Sequence, residues 1–86
     1  MYELVLASAA RKAFLAADPP LRRKLKRCFD WLEQQPYSHP NIKALKGDFK
    51  GFYRFRVGDW RVIYRVNEQE HRVYISEIAH RRDIYE

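Results

Sequence analysis

One stretch of the sequence constrains the fold more than any other: residues 52–66, FYRFRVGDWRVIYRV. Apolar and aromatic residues alternate with arginines on both sides of Gly58-Asp59, a pattern that predicts a β-hairpin closed by a two-residue turn. Glycine supplies the positive φ that such a turn requires. The predicted register pairs Val57 with Trp60, Arg56 with Arg61, Phe55 with Val62, Arg54 with Ile63, and Tyr53 with Tyr64.

Side chains alternate between the two faces of a strand, so this register predicts one apolar face and one basic face. The apolar face carries Tyr53, Phe55, Val57, Trp60, Val62, Tyr64 and Val66. The opposite face, which we call the arginine face, carries Phe52, Arg54, Arg56, Arg61, Ile63 and Arg65. We expect the helices of the protein to cover the apolar face and to leave the arginine face open.

The arginine face is costly to a small domain. Arg56 and Arg61 oppose each other directly and Arg54 lies diagonally from Arg61, and like charges in these positions destabilise a sheet. Planar guanidinium groups on rigid strands bind phosphate oxygens in pairs of hydrogen bonds. The cluster therefore indicates a site for an external anion. The alternative is a solvated polar face with its arginines splayed into water.

Two helices are predicted before the hairpin. Ser8 is the expected N-cap of the first, over 9–17. Asp18 is the expected N-cap of the second, over 18–35, with Pro19 at its first position. The apolar residues of the second helix fall on one face, which is typical of a helix packed on a core. They are Leu21, Leu25, Cys28, Phe29 and Leu32.

Strands are predicted at 2–6, 52–57, 60–66 and 72–79, and an ordered surface loop at 36–51. The resulting order, β-α-α-β-β-β, predicts an α+β fold. In this fold an N-terminal helical hairpin packs on one face of an antiparallel sheet.

Composition limits the function classes. The chain has 86 residues, which predicts a single domain over 1–86. Its 17 basic and 11 acidic residues give a net charge of +6, which suits an RNA, a DNA or an acidic protein partner. The single cysteine, Cys28, excludes an internal disulfide. We recognise no signal peptide, membrane span, metal-ligand spacing or cofactor motif, so a cytoplasmic protein without metal or cofactor is expected.

The last ten residues, EIAHRRDIYE (77–86), add His80, Arg81, Arg82 and Tyr85 to the candidate site. If the strand at 72–79 pairs beside 60–66, its end brings these groups toward the arginine face. A histidine or tyrosine beside arginines around a phosphate is suited to RNA cleavage without a metal. The 2′-hydroxyl is then the nucleophile, and the protein removes its proton and stabilises the phosphorane.

Two segments resemble a known family. LKGDFKGFYRFRVGDWRVIYRV (45–66) followed by HRRDIYE (80–86) resembles the RelE branch of the RelE/ParE toxin superfamily. The resemblance implies a compact antiparallel sheet with two N-terminal helices. It also implies a ribosome-dependent endoribonuclease that cleaves mRNA in the ribosomal A site and is held inactive by a RelB-like antitoxin.

The resemblance also implies roles for individual residues. Arg61 matches the strand arginine that contacts the scissile phosphate in RelE toxins. Arg81 matches an arginine that acts near the leaving group, and Tyr85 matches a C-terminal tyrosine proposed as general base. The spacing from Arg81 to Tyr85 is shorter than in the best-known member, so His80 is a competing base.

Two further positions depart from the family pattern. Arg54 and Arg56 stand where the best-known members carry lysines, and arginine stays charged where lysine can exchange a proton. We therefore expect these two residues to stabilise the phosphorane electrostatically. Five basic residues are expected to bind RNA around the site: Lys43, Lys46, Lys50, Arg65 and Arg82.

Two other functions remain open at this stage. One is a non-enzymatic toxin like the ParE branch, which inhibits DNA gyrase by protein contact. The other is a toxin fold whose site has decayed and which acts as a DNA-binding co-repressor. The arginine pair together with Tyr85 favours RNA cleavage, because a gyrase inhibitor has no need of that arrangement.

Overall fold

The computed structural model describes residues 1–83. These residues form two α-helices, five β-strands and two short 3₁₀ turns. The helices are α1 (Ser8–Ala16) and α2 (Pro19–Gln34). The strands are β1 (Glu3–Leu6), β2 (Ile42–Ala44), β3 (Tyr53–Val57), β4 (Trp60–Asn67) and β5 (Arg72–His80). The 3₁₀ turns are Gly47–Phe49 and Arg81–Asp83.

The strands form one sheet in the order β1-β5-β4-β3-β2. The predicted α+β class is confirmed, and two details of the predicted sheet are corrected. First, β1 pairs with β5 in parallel, whereas the other neighbouring strands pair antiparallel. Second, the predicted loop at 36–51 contains β2, which forms the sheet edge beside β3.

The two helix starts differ in their capping. The carboxylate of Asp18 accepts a hydrogen bond from the Leu21 N–H at 2.9 Å, and Pro19 is the first residue of α2, as predicted. The predicted cap by Ser8 is wrong, because α1 begins at Ser8 itself and Ala7 occupies the cap position. Ala7 follows β1 directly, and its N–H donates to the carbonyl oxygen of Ile75 in β5 at 2.9 Å. Of the helices within residues 1–83, none is long and apolar enough to cross a membrane.

The core lies between the helices and one face of the sheet. The predicted hairpin register is confirmed at all five pairs, from Val57–Trp60 to Tyr53–Tyr64. The predicted apolar face is buried or packed against the core, which also contains Leu25, Cys28 and Leu32 of α2. The helices therefore cover the apolar face and leave the arginine face outward.

The pairing of β4 with β5 contains a register shift between Ile63 and Tyr64. Ile63 pairs with Glu77 and Tyr64 pairs with Ile75, so Ser76 is an extra residue on β5. Because strand side chains alternate, one extra residue exchanges the faces of all later side chains on that strand. This bulge determines which C-terminal residues reach the arginine face.

Candidate functional site

The end of the arginine face nearest the Gly58-Asp59 turn brings Arg56 and Arg61 together. The two residues are directly paired across β3 and β4, and Arg56 is exposed. Nη1 of Arg61 donates to the carbonyl oxygens of Gly58 at 3.3 Å and Trp60 at 3.2 Å. These backbone acceptors orient the guanidinium group at the turn end of the face.

Arg81 extends this end of the face. Its backbone N–H donates to the Asp59 carbonyl at 2.7 Å, which places Arg81 opposite Asp59, two residue pairs beyond Arg61–Ala79. Diagonal neighbours in a sheet lie about 7–8 Å apart, within reach of arginine side chains. Nη1 of Arg81 lies 3.6 Å from Oδ1 of Asp59, with both side chains 62% exposed. An ion pair this exposed is weak and exchanges readily with solvent or ligand.

His80 lies on the other face, so its predicted place beside the arginines is wrong. It pairs with Trp60, a residue of the apolar face, and the two rings contact edge to face with centroids 5.4 Å apart. The bulge at Ser76 is the physical reason. Without the extra residue His80 would share a face with Arg61.

The middle of the arginine face carries Arg54 and Lys43. They are paired across β3 and β2. Nη1 of Arg54 donates to the carbonyl oxygen of Asn41 at 2.8 Å, so this guanidinium group is also anchored by backbone. Asn41 is a positioning residue that the sequence did not reveal, because its carbonyl reaches the arginine only through the unpredicted pairing of β2 with β3.

The far end of the face carries Arg65, which lies four residues from Arg61 along β4, or about 13 Å. The predicted RNA-binding residues Lys46 and Lys50 also lie toward this end. They flank the 3₁₀ turn that precedes β3. Arg82 is exposed in the turn after β5, and its backbone N–H donates to Nδ1 of His80 at 3.3 Å. The basic residues thus form a band along the face rather than one cluster.

Two carboxylates also lie at the arginine face or beside its turn end. Glu77 pairs with Ile63 on the arginine face, and Asp59 pairs with Arg81; neither carboxylate was predicted from the sequence to belong to the site. Tyr85 lies outside the described residues, so its role stays a prediction. Within residues 1–83, no group of three or more His, Cys, Asp or Glu side chains is placed to hold a metal ion.

This arrangement is chemically suited to an anion. Arg56 and Arg61 face each other at the turn end of an open sheet face, Arg81 lies beside Asp59 of that turn, and Arg54 and Lys43 continue the positive charge. Such preorganised cations stabilise negative charge that develops on a phosphoryl group. A nucleotide backbone fits both the charge and the open, flat shape of this surface.

A scan of family models matches residues 5–85 to the ParE toxin of type II toxin–antitoxin system, parDE. The chain is also 42% identical over 43 residues to Toxin RelE of Mycobacterium tuberculosis. That segment is 50% of this chain and 44% of the relative, so the chain matches less than half the length of this curated relative.

Solved structures share the fold over nearly the whole chain. RelE in the archaeal RelE–RelB complex of Pyrococcus horikoshii aligns with a TM-score of 0.81 and 28% identity, over 93% of this chain and 94% of that one. The YoeB/ParE toxin from Agrobacterium tumefaciens aligns with a TM-score of 0.82 and 19% identity, over 91% of this chain and 96% of that one. A chain of the intact RelBE toxin–antitoxin complex of E. coli aligns with a TM-score of 0.78 and 17% identity, over 93% of this chain and 96% of that one. The family match over residues 5–85 and this shared fold agree, and the chain belongs to the ParE toxin family, as a toxin of the RelE/ParE superfamily.

Proposed function

We propose that this toxin is a ribosome-dependent endoribonuclease that cleaves mRNA in the A site. The observation that carries the proposal is the direct pairing of Arg56 with Arg61 at the turn end of the open sheet face, with Arg81 held beside Asp59 of that turn. Asp59 lies within ion-pair distance of Arg81, 3.6 Å from its Nη1. Arginines at this end of the face supply the charge-assisted hydrogen bonds that an RNA phosphate accepts.

The proposed reaction is attack of an RNA 2′-oxygen on the adjacent phosphorus. A bond forms between phosphorus and the 2′-oxygen, and the bond to the 5′-oxygen of the next nucleotide breaks. The proton of the 2′-hydroxyl passes to a general base, and the 5′-oxygen gains a proton as it leaves. The products are a 2′,3′-cyclic phosphate and a 5′-hydroxyl.

The described residues supply charge and position. Arg61 and Arg56 hold the non-bridging oxygens and stabilise the phosphorane, with Arg54 adding positive charge from the neighbouring position. Arg81 lies at the open end of the cluster, where it assists the leaving 5′-oxygen. Tyr85 is the proposed base that takes the proton of the 2′-hydroxyl.

The test is cleavage of mRNA on programmed ribosomes, with the chemistry of both new ends determined. We expect a 2′,3′-cyclic phosphate and a 5′-hydroxyl, and no cleavage of an mRNA that carries a single 2′-deoxynucleotide before the cut. Arg61→Ala should abolish the cut, whereas Arg11→Ala, an exposed arginine of α1, should leave it intact. Intact mRNA after incubation with the wild-type toxin would overturn the proposal.

The second candidate function is non-enzymatic inhibition of DNA gyrase, and the match to the ParE family model favours it. In that case the basic face serves as a protein-binding surface. Inhibition of supercoiling by purified gyrase, with translation unaffected, would establish this function. An endoribonuclease should cleave mRNA on ribosomes and leave gyrase active, whereas a gyrase inhibitor should block supercoiling and leave the mRNA intact.

The partner we propose is a RelB-like antitoxin with an acidic, amphipathic segment. A cleft of about 420 Å³ lies between α2 and the β2–β3 edge. Its described lining includes Lys24, Arg27, Trp31, His39, Phe55 and Arg56, and none of its described lining residues is acidic. Aromatic walls with cationic rims suit an acidic amphipathic chain. Trp31→Ala and Lys24→Glu should each weaken antitoxin binding while ribosome-dependent cleavage persists; unchanged affinity would place the antitoxin elsewhere.

A further inference from the structure

Arg65 and Tyr74 form a stacked pair at the far end of the arginine face. They are directly paired across β4 and β5, and the guanidinium carbon lies 4.3 Å from the centroid of the Tyr74 ring. Arg65 is exposed, so a flat group can approach its guanidinium plane from the solvent side. A tyrosine ring beneath holds that plane in place.

The surroundings of this pair differ in charge from the hairpin-turn end. The Tyr74 hydroxyl donates to Oε1 of Glu70 at 2.5 Å, which fixes the ring. Nε of Arg72 lies 2.8 Å from Oε1 of Glu3, and its Nη1 lies 3.9 Å from Oε2 of Glu70. These carboxylates lie beside the pair and balance the charge of Arg72.

We propose that Arg65 and Tyr74 are a stacking platform for one base of the RNA strand whose phosphate lies at Arg61. This inference rests on the proposed RNA-cleaving function and adds a subsite to it. Unpaired bases stack on guanidinium planes and aromatic rings, which is a common mode of single-strand recognition. An exposed guanidinium group held over a tyrosine ring suits the face of a base.

Spacing defines which nucleotide uses the platform. Arg65 lies about 13 Å from Arg61 along β4. Stacked bases are separated by about 3.4 Å along one strand, so the platform lies at most about four nucleotides from the cleaved bond. It therefore reads a nucleotide outside the scissile pair and helps to hold the strand along the sheet.

The experiment combines toxin variants with mRNAs that carry one abasic nucleotide, scanned over four positions on each side of the cut, on programmed ribosomes. With wild-type toxin we expect one position where loss of the base lowers the subsaturating cleavage rate about tenfold. Arg65→Ala and Arg65→Lys should both lower the rate on the complete mRNA to a similar extent, and both should lose the abasic effect at that position. Tyr74→Phe, which keeps the ring, should retain it.

The outcomes separate the two proposals. If wild-type toxin cleaves no mRNA, the proposed function fails and this subsite fails with it. If wild-type toxin cleaves but Arg65→Lys matches wild type, Arg65 acts as a point charge and the stacking platform is overturned while the function stands. The stacking platform is also overturned if Arg65→Lys still shows the abasic effect. Arg11→Ala is the matched control for the loss of one exposed arginine.

Discussion

Arg56 and Arg61 lie directly opposite each other across the β3–β4 hairpin, on the sheet face that the helices leave open. The pairing costs stability, because like charges in facing positions repel. The structure compensates in part by anchoring Arg61 on the carbonyl oxygens of Gly58 and Trp60. A bound phosphate would offset the repulsion between the two guanidinium groups, which explains why this unfavourable pair fits a phosphate-binding site.

Arg56→Thr should stabilise the protein and impair its activity. Threonine suits a strand and removes the repulsion, which is worth about 0.2–1 kcal/mol. For a domain of this size the melting temperature should rise by about 1–8 °C. Loss of one preorganised cation should lower the cleavage rate about 100-fold. A thermal melt and a ribosome cleavage assay on the same sample test both effects, and a lower melting temperature would show that Arg56 is structurally satisfied.

Asp59→Asn should strengthen RNA binding. The change removes the carboxylate that lies 3.6 Å from Arg81 and leaves the backbone bond between these residues intact. Affinity for a short single-stranded RNA, measured by fluorescence anisotropy, should rise a few-fold at low salt, and the difference should vanish at high salt. An affinity that does not change at low salt would mean that Arg81 takes no part in binding.

Tyr64→Phe should destabilise the protein without affecting cleavage. The buried Tyr64 hydroxyl donates to the carbonyl oxygen of Pro36 at 2.6 Å, which ties β4 to the end of α2. Its removal leaves a buried acceptor unpaired and costs about 1 kcal/mol. We expect the melting temperature to fall by about 4–8 °C. An equal melting temperature would indicate that water replaces the hydroxyl, and a large loss of cleavage would contradict the separation of core from site.

Stability should depend on pH through Glu68. Hydrogen bonds donated by the hydroxyls of Tyr37 and Tyr2 hold the pKa of Glu68 below its ordinary value. A carboxylate with a lowered folded pKa adds stability above its unfolded pKa of about 4.3 and loses it as the pH falls through the folded value. The difference in melting temperature between wild type and Glu68→Gln should therefore shrink as the pH drops from neutral toward acid. If the melting temperatures of wild type and Glu68→Gln differ by the same amount at every pH, Glu68 does not contribute this pH-dependent stability.

The hairpin could be predicted from sequence because its information is local. Gly58 has φ 60°, the positive value that the turn requires, and alternation on both sides fixes the register. Asp18 and Pro19 likewise define the start of α2 within a few residues. In each case the residues that determine the structure are neighbours in the chain.

The errors concern contacts between distant residues. β2 is three residues long and lies between prolines and glycines, so its pattern is too short to identify without its partner β3. The parallel pairing of β1 with β5 depends on how the intervening chain returns to the sheet. Neither has a local signal.

The position of the candidate residues on the sheet was predicted correctly where it follows from the hairpin and incorrectly for His80 on β5. Arg54, Arg56 and Arg61 share a face as predicted. His80 changes face relative to an unbroken ladder because Ser76 is an extra residue. A bulge has no distinctive sequence here, so alternation counted from the β4–β5 turn gives the wrong face for His80.

The most direct test of the central claim is the single-turnover rate of mRNA cleavage on programmed ribosomes at saturating toxin. We predict that Arg61→Ala lowers this rate about 100-fold or more relative to wild type and to Arg11→Ala, because the phosphorane loses an oriented cation. A rate for Arg61→Ala equal to that of Arg11→Ala would contradict the claim that the arginine face stabilises the reaction.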